Sequence, residues 1–239
     1  MAFIHGKTTV VLYNGANLTS YFNEASVSNS VETAETTAFG NDAKTYITGL
    51  IDGTISATGM FDGAVGAVDA TLTATLGATD ADVMTVMPEG ATADKRTYSC
   101  AVRETSYEIS SPVGDVVAAN LEVQATGGVD TGKVIEGLTS VSASGNSTSI
   151  NNGAATSNGG VAYLHVTVNS RDGASTFKVQ HSTDNVSFVD LATFSSVAAS
   201  ATGGERVAVT GTVNQYLRSE YVPGGSSGSV TYTMAFARK

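Results

Sequence analysis

The decapeptide VVAANLEVQA, residues 116–125, constrains the fold of this chain most. Val117, Ala119, Leu121, Val123 and Ala125 fall on every second position, which gives a strand one apolar face. Shorter strand-like runs recur throughout. Residues 8–13, 24–31, 51–61, 83–87 and 97–109 precede the decapeptide. Residues 161–168, 176–181, 186–194, 206–213, 216–221 and 229–237 follow it. Turn residues punctuate them. Asn14-Gly15 is a favoured two-residue hairpin turn, Ser111–Gly114 introduces the decapeptide, and Pro223-Gly224-Gly225 reads as a loop. Strands at this spacing predict a mainly β protein.

One segment is ambiguous. In AVGAVDATLTATLG, residues 64–77, Val65, Val68, Leu72 and Leu76 fit helical steps. Ala70, Leu72, Ala74 and Leu76 fit the strand step. Asp62 as a cap and Gly77 as a terminator favour a helix. Residues 17–22 also predict a single helical turn. The expected first module is therefore a β-sandwich or barrel over 1–136 with one short flanking helix. Residues 137–160, rich in Ser, Asn and Gly, read as a linker, with Val141 and Ile150 as candidates for a first short strand. Residues 161–239 read as a second β-sandwich domain.

Charge supports two modules. Residues 1–136 hold 6 Lys/Arg and 17 Asp/Glu, a net of −11, whereas 137–239 carry +1. An acidic module repels nucleic-acid backbones, which disfavours binding by attraction. It suits either plain solubility or a conduit that DNA must traverse without sticking. No apolar run reaches the roughly 18–20 residues of a membrane span. The start, MAFIHGKTTVV, lacks the apolar core of a signal peptide, so Sec-type export is not expected. The triplets at Asn17, Asn146 and Asn185 carry little meaning without it.

Sites of chemistry are not indicated. Gly127–Lys133 has GxxxxGK spacing, but Val134 stands where Ser or Thr must reach magnesium, and no helix pattern follows. It reads as a Gly-rich turn. His181-Ser182-Thr183-Asp184 reads as a polar hairpin turn. His5, His165 and His181 lack zinc spacing, and His165 shares a strand face with Tyr163 and Thr167. The pairs Asp80/Asp82 and Glu104/Glu108 read as solvated surface. Cys100, the only cysteine, reads as a buried thiol. No enzyme, metal site or cofactor is expected.

Residues 31–46 are harder to place. Thr33, Thr36, Thr37 and Thr45 favour extended backbone, as do Val31, Phe39 and Tyr46, yet almost no apolar alternation seats them on a core. Residues 26–63, SVSNSVETAETTAFGNDAKTYITGLIDGTISATGMFDG, resemble the signature segment of the major tail tube proteins of long-tailed (siphovirus-type) bacteriophages. Residues 110–135, SSPVGDVVAANLEVQATGGVDTGKVI, are similar to the segment that closes the same domain.

The resemblance implies a structural virion protein made in the bacterial cytoplasm. Its subunits would form homohexameric rings that stack into a tube, contact other tail proteins and conduct DNA without binding it specifically. It also implies that residues 31–46 reach an adjacent subunit, with Thr33, Thr36, Phe39, Asp42, Lys44 and Tyr46 as contact residues. Residues 177–194 and 214–239 are similar to β-sandwich modules appended to phage tail and capsid proteins. Such modules sit on the particle exterior and can touch host surfaces or glycans. Tyr163, Tyr216, Tyr221 and Tyr232 are the aromatic residues available for sugar stacking. The alternative function is a two-domain adhesin or carbohydrate-binding protein.

Overall fold

A computed structural model describes residues 3–79 and 81–239. In chain order it contains β1 (Val10–Tyr13), β2 (Ala16–Asn17), β3 (Phe22–Glu35), β4 (Tyr46–Met60), the helix α1 (Val68–Thr75), β5 (Asp82–Met87), β6 (Arg96–Ser110) and β7 (Ala118–Val141). There follow β8 (Gly145–Asn146), β9 (Ile150–Asn151), β10 (Gly160–Asn169), β11 (Gly173–Ser182), β12 (Val189–Thr193), β13 (Gly203–Val209), β14 (Tyr216–Gly224) and β15 (Val230–Arg238). The protein is mainly β, with antiparallel sheets and a β-sandwich architecture.

Two compact units interleave along the chain. One comprises Met1–Phe22, Asp82–Ser99 and Asp130–Lys239. The other comprises Asn23–Ala81 and Cys100–Val129. The strands β6 and β7 each contribute residues to both.

In the larger unit one sheet runs β13-β10-β15-β7-β6-β5-β1-β2, and a second runs β12-β11-β14-β8 with β9 also beside β14. Contacts of β13 with β5 and of β10 with β2 curl the first sheet back on itself. The middle strands are therefore covered twice. Ala162, Leu164 and Val166 of β10 pack with Tyr232, Met234 and Phe236 of β15 against Phe177, Val179, Leu217 and Tyr221 of the second sheet. On the opposite face Val161, Tyr163 and Ala235 pack with Val83 of β5. This is why every residue from Gly160 to Val166 is buried. Strands of the N-terminal and C-terminal thirds thus share one core, and the compact units do not part at the 136/137 boundary expected from composition.

His165 lies on that inner face and is 1% exposed. Its Nδ1 accepts the Gly15 N–H at 3.3 Å, which leaves Nε2 to donate to Thr85 Oγ1 at 2.8 Å. Thr85 then donates to Ser99 Oγ at 3.0 Å. The buried His165–Thr85–Ser99 chain is thus satisfied by partners, as low-dielectric burial requires.

In the smaller unit the sheet runs β3-β4-β7-β6. Residues Thr54–Met60 of β4 pair with Ala118–Gln124 of β7, and Ile55, Ala57, Leu121 and Val123 are buried. The helix buries Val68 and Leu72. Thr75 Oγ1 donates to Glu104 at 2.6 Å, and the Tyr107 hydroxyl donates to Asp69 at 3.1 Å. Burial and the Asp69 carboxylate push the Tyr107 phenol up to about 12.

Several local expectations are corrected. The helix is shorter than 64–77 and begins after Ala67. Asp62 instead accepts the Ala64 N–H at 2.9 Å in the preceding turn. Residues 17–22 form a β-turn closed by Tyr21 N–H to Leu18 O at 3.1 Å, not a helical turn. The stretch Gly127–Lys133 lies inside β7, because Gly127 and Gly128 adopt φ of 86° and 80° without ending the strand. Residues 137–160 extend β7 and add β8 and β9, with Ile150 buried. Pro223 and Gly224 close β14 rather than leaving it. Glu104 is a buried hydrogen-bonding residue, not solvated surface. Cys100 is buried, and Ser182–Ser187 form the expected polar turn around Asp184. Asp80 lies outside the described residues, and Asp82 accepts from Tyr13 and Asn14.

A single guanidinium organises the loops of the larger unit. Arg171, 4% exposed, donates to Gly224 O, Gly225 O, Gly228 O and Ser142 O. Arg171→Met should leave these carbonyls without their donor and lower stability by about 3–5 kcal/mol. Arg171→Lys should rescue little of this, because an ammonium lacks the planar fork. Urea unfolding of both variants measures it. A loss below about 1 kcal/mol for Arg171→Met would show that water replaces the clamp.

Candidate assembly interface

Strand β4 changes character at Gly53. From Gly53 to Met60 it alternates between buried and accessible, whereas every residue from 28 to 52 is exposed. The distal parts of β3 and β4 therefore form a two-stranded arm beyond the covered sheet. Seven residues of β4, 46–52, lie in it, roughly 23 Å of extended chain.

Its base is fixed by polar side chains. Asn29 brackets Val129: its Nδ2 donates to Val129 O at 2.9 Å and its Oδ1 accepts Val129 N–H at 3.0 Å. Gln124 Nε2 donates to Asp52 and to Gly53 O. Two glycines permit the close approach. A Cβ on Gly128 would meet Ile51 Cγ2 at 2.8 Å, and one on Gly53 would meet Asn29 Oδ1 at 2.9 Å.

The tip bonds only to itself. Thr36 N–H donates to Thr45 O at 2.8 Å, and Thr45 N–H donates to Thr37 Oγ1 at 3.1 Å. The Thr36 and Thr45 hydroxyls lie 3.2 Å apart. Lys44 pairs with Glu35 at 3.1 Å, an exposed contact of small energetic weight. The Thr-rich sequence thus makes a hairpin end whose backbone is satisfied locally, with no core needed.

All six residues singled out from the sequence lie on this arm. Thr33 is on β3; Thr36, Phe39, Asp42 and Lys44 are in the connecting loop; Tyr46 begins β4. All are exposed, Phe39 completely. Sequence reading missed Ile47, Leu50 and Ile51, which are 58%, 74% and 62% exposed. Their signal was present: TYITGLIDG puts apolar residues on both parities, more than a single covered face accommodates.

Of the four tyrosines considered for sugar stacking, Tyr216 is half-buried at the start of β14 and the other three belong to the core. Tyr163, Tyr221 and Tyr232 are buried, and the last two stack with Phe177 at 5.3 and 5.0 Å between ring centroids. Among the described residues no group of three or more His, Cys, Asp or Glu could hold a metal ion. No helix among them is long and apolar enough to cross a membrane.

No protein-family model and no curated protein matches the sequence. Among solved structures the chain is similar in fold to a protein of the virion of a native gene transfer agent particle. The identity is 14% and the TM-score 0.45, over 54% of this chain and 98% of that one. It is also similar to a protein of an extracellular contractile injection system, the PVC sheath/tube terminator in the extended state. There the values are 16% and 0.44, over 55% and 97%. The SPP1 Dit protein, described as a paradigm of hub adsorption apparatus in phages infecting Gram-positive hosts, aligns over 96% of this chain and 99% of that one. Its identity is 16% and its TM-score 0.36. These are likenesses of fold.

Proposed function

We propose that this protein is a structural subunit of a phage tail, the tube-forming subunit whose six-fold rings stack into a conduit for DNA. The observation that carries the reading is the β3–β4 arm, which exposes Val31, Phe39, Tyr46, Ile47, Leu50 and Ile51 together. A two-stranded ribbon alone is marginally stable in water, and exposed apolar strand edges invite association. Burying six such side chains is worth roughly 10 kcal/mol in gross terms, the same order as the cost of immobilising a partner. A closed ring of identical copies covers such surfaces without unlimited aggregation.

The acidic surplus of residues 1–136 fits a lumen that passes DNA without holding it. On this reading the arm contacts the neighbouring copy, with Thr33, Thr36, Phe39, Asp42, Lys44 and Tyr46 joined by Ile47, Leu50 and Ile51. Other tail proteins cap the tube, and the sheet built from β11, β12 and β14 faces the particle exterior.

Negative-stain microscopy of the purified chain should show rings or tubes at high concentration. Deleting residues 32–44 and closing the arm with Asn-Gly should leave a folded monomer that forms neither. A wild-type chain that stays monomeric at every concentration would sink the proposal. Unfolding of the deletion variant would instead place the arm within its own core.

A further inference from the structure

We propose that a cleft of about 290 Å3 in the larger unit binds an oxyanion, the carboxylate or phosphate group of a ligand. It is lined by Arg96, Lys133, Asn152, Phe236 and Arg238, with the carboxylates of Glu89 and Asp94 beside them. This inference is independent of the tube reading, because no residue of the arm takes part.

The lining presents one open guanidinium, Arg96, and contains two further donors that are buried without acceptors among the described residues. The Arg238 guanidinium reaches three carbonyls: Nη1 donates to Asn152 O, and Nη2 donates to Ala154 O and Val213 O. Its Nε is buried with no hydrogen-bond partner among the described residues, and Asn152 Nδ2 is in the same condition. Arg96, exposed at the start of β6, has neither a hydrogen bond nor an ion pair among the described residues. Native proteins leave few buried donors unpaired, so two in residues lining one cleft are unusual.

The charge balance has the matching sign. Glu89 pairs with Lys95 at 3.5 Å, and Asp94 pairs with Lys133 at 2.5 Å. Arg96 and Arg238 have no carboxylate partner among the described residues. The lining residues carry a net positive charge in a chain of net −10. Burial also pulls the Arg238 pKa below its ordinary value, as expected of a cation with no anion beside it. A carboxylate or phosphate offers several acceptor oxygens and negative charge, and guanidinium groups bind both by charge-assisted hydrogen bonds.

Close backbone packing shapes the floor. A Cβ on Gly132 would lie 2.6 Å from Phe236 O, so only glycine lets β7 approach β15 here. The oxyanion has two possible sources: a small free anion, or an Asp or Glu side chain from another copy of this chain.

Inorganic phosphate titrated into the full chain by calorimetry tests the site. Saturable binding at one site per chain is expected. Arg96→Met, which removes no structural contact, should weaken it roughly tenfold. Lys178→Met, on β11 and paired with Asp190 and Glu220, should bind as the wild type does. Sedimentation with and without phosphate separates the sources. Phosphate that dissociates wild-type assemblies identifies a neighbour's carboxylate as the natural occupant. Phosphate that binds without changing sedimentation identifies a free anion. No saturable binding up to about 10 mM, or equal binding by wild type and Arg96→Met, overturns the proposal.

Discussion

A fragment ending at Glu136 should show no cooperative unfolding transition and should aggregate when expressed alone. Composition suggests the opposite, because the charge step near that point resembles the edge of an appended domain. Three features argue for failure. In the fragment β7 loses β15, which pairs with it from Lys133 to Val141. Val83 loses Val161, Tyr163 and Ala235, a burial worth about 1.5–3 kcal/mol for that side chain alone. Thr85 and the Gly15 N–H both lose His165. Unsatisfied buried groups add about 1–3 kcal/mol each. Against a typical total of 5–15 kcal/mol, these losses exceed what a remnant can absorb. Thermal denaturation followed by near-ultraviolet circular dichroism reads the result. A sharp, reversible melt of the fragment would show that the C-terminal strands are dispensable.

The second large effect is acid sensitivity through His165. Burial holds its imidazole at about 3, well below the ordinary 6.5. The unfolded chain takes up the proton near pH 6.5, whereas the folded chain resists until near pH 3. Stability from this site is therefore complete above pH 6.5 and falls as pH drops through that window. The slope is about 1.4 kcal/mol per pH unit, so roughly 3 kcal/mol is lost between pH 6.5 and 4.5. His181, also held low by burial, acts in the same direction. Comparison with His165→Gln isolates the buried residue. The variant should be less stable at pH 8, by about 1–3 kcal/mol for the lost hydrogen bonds. Its stability should also fall less steeply on acidification. Parallel curves of urea midpoint against pH for the two proteins would refute the assignment.

The strands that present one covered face were legible from period-two alternation, and β7 within residues 116–125 is the clearest of them. Its continuation through Gly127 and Gly128 was not. Glycine reads as punctuation, yet positive φ is tolerated within a ladder when the neighbouring strands still supply hydrogen bonds. The layered core was legible in principle. VAYLHV and MAFA lack polar alternation, the mark of a strand buried on both faces. Which elements cover those faces depends on partners distant in sequence, and no local pattern names them. The arm is legible because residues 31–46 fit no core, but of its apolar residues Ile51 falls within the strand-like run 51–61 and Ile47 and Leu50 fall within no run. Arg171, Arg96 and Arg238 left no trace. An isolated arginine in a loop or at a strand end looks the same whether it clamps carbonyls, awaits an anion or meets water.

The doubly covered middle layer also governs when the protein can fold during its own synthesis. Gly15 and His165 are 150 positions apart, and Asn14 and Gly204 are 190 apart. A ribosome adding about 5–20 residues per second delivers His165 roughly 8–30 s after Gly15. For that interval β1, β2 and β5 exist without the strands that bury them, and the unit closes only once β15 has emerged. Such late, non-local closure is slow, and it leaves apolar strands exposed on the nascent chain. Translation speed and chaperone supply therefore bear on the yield of folded protein more strongly than they would for a chain whose halves fold in turn.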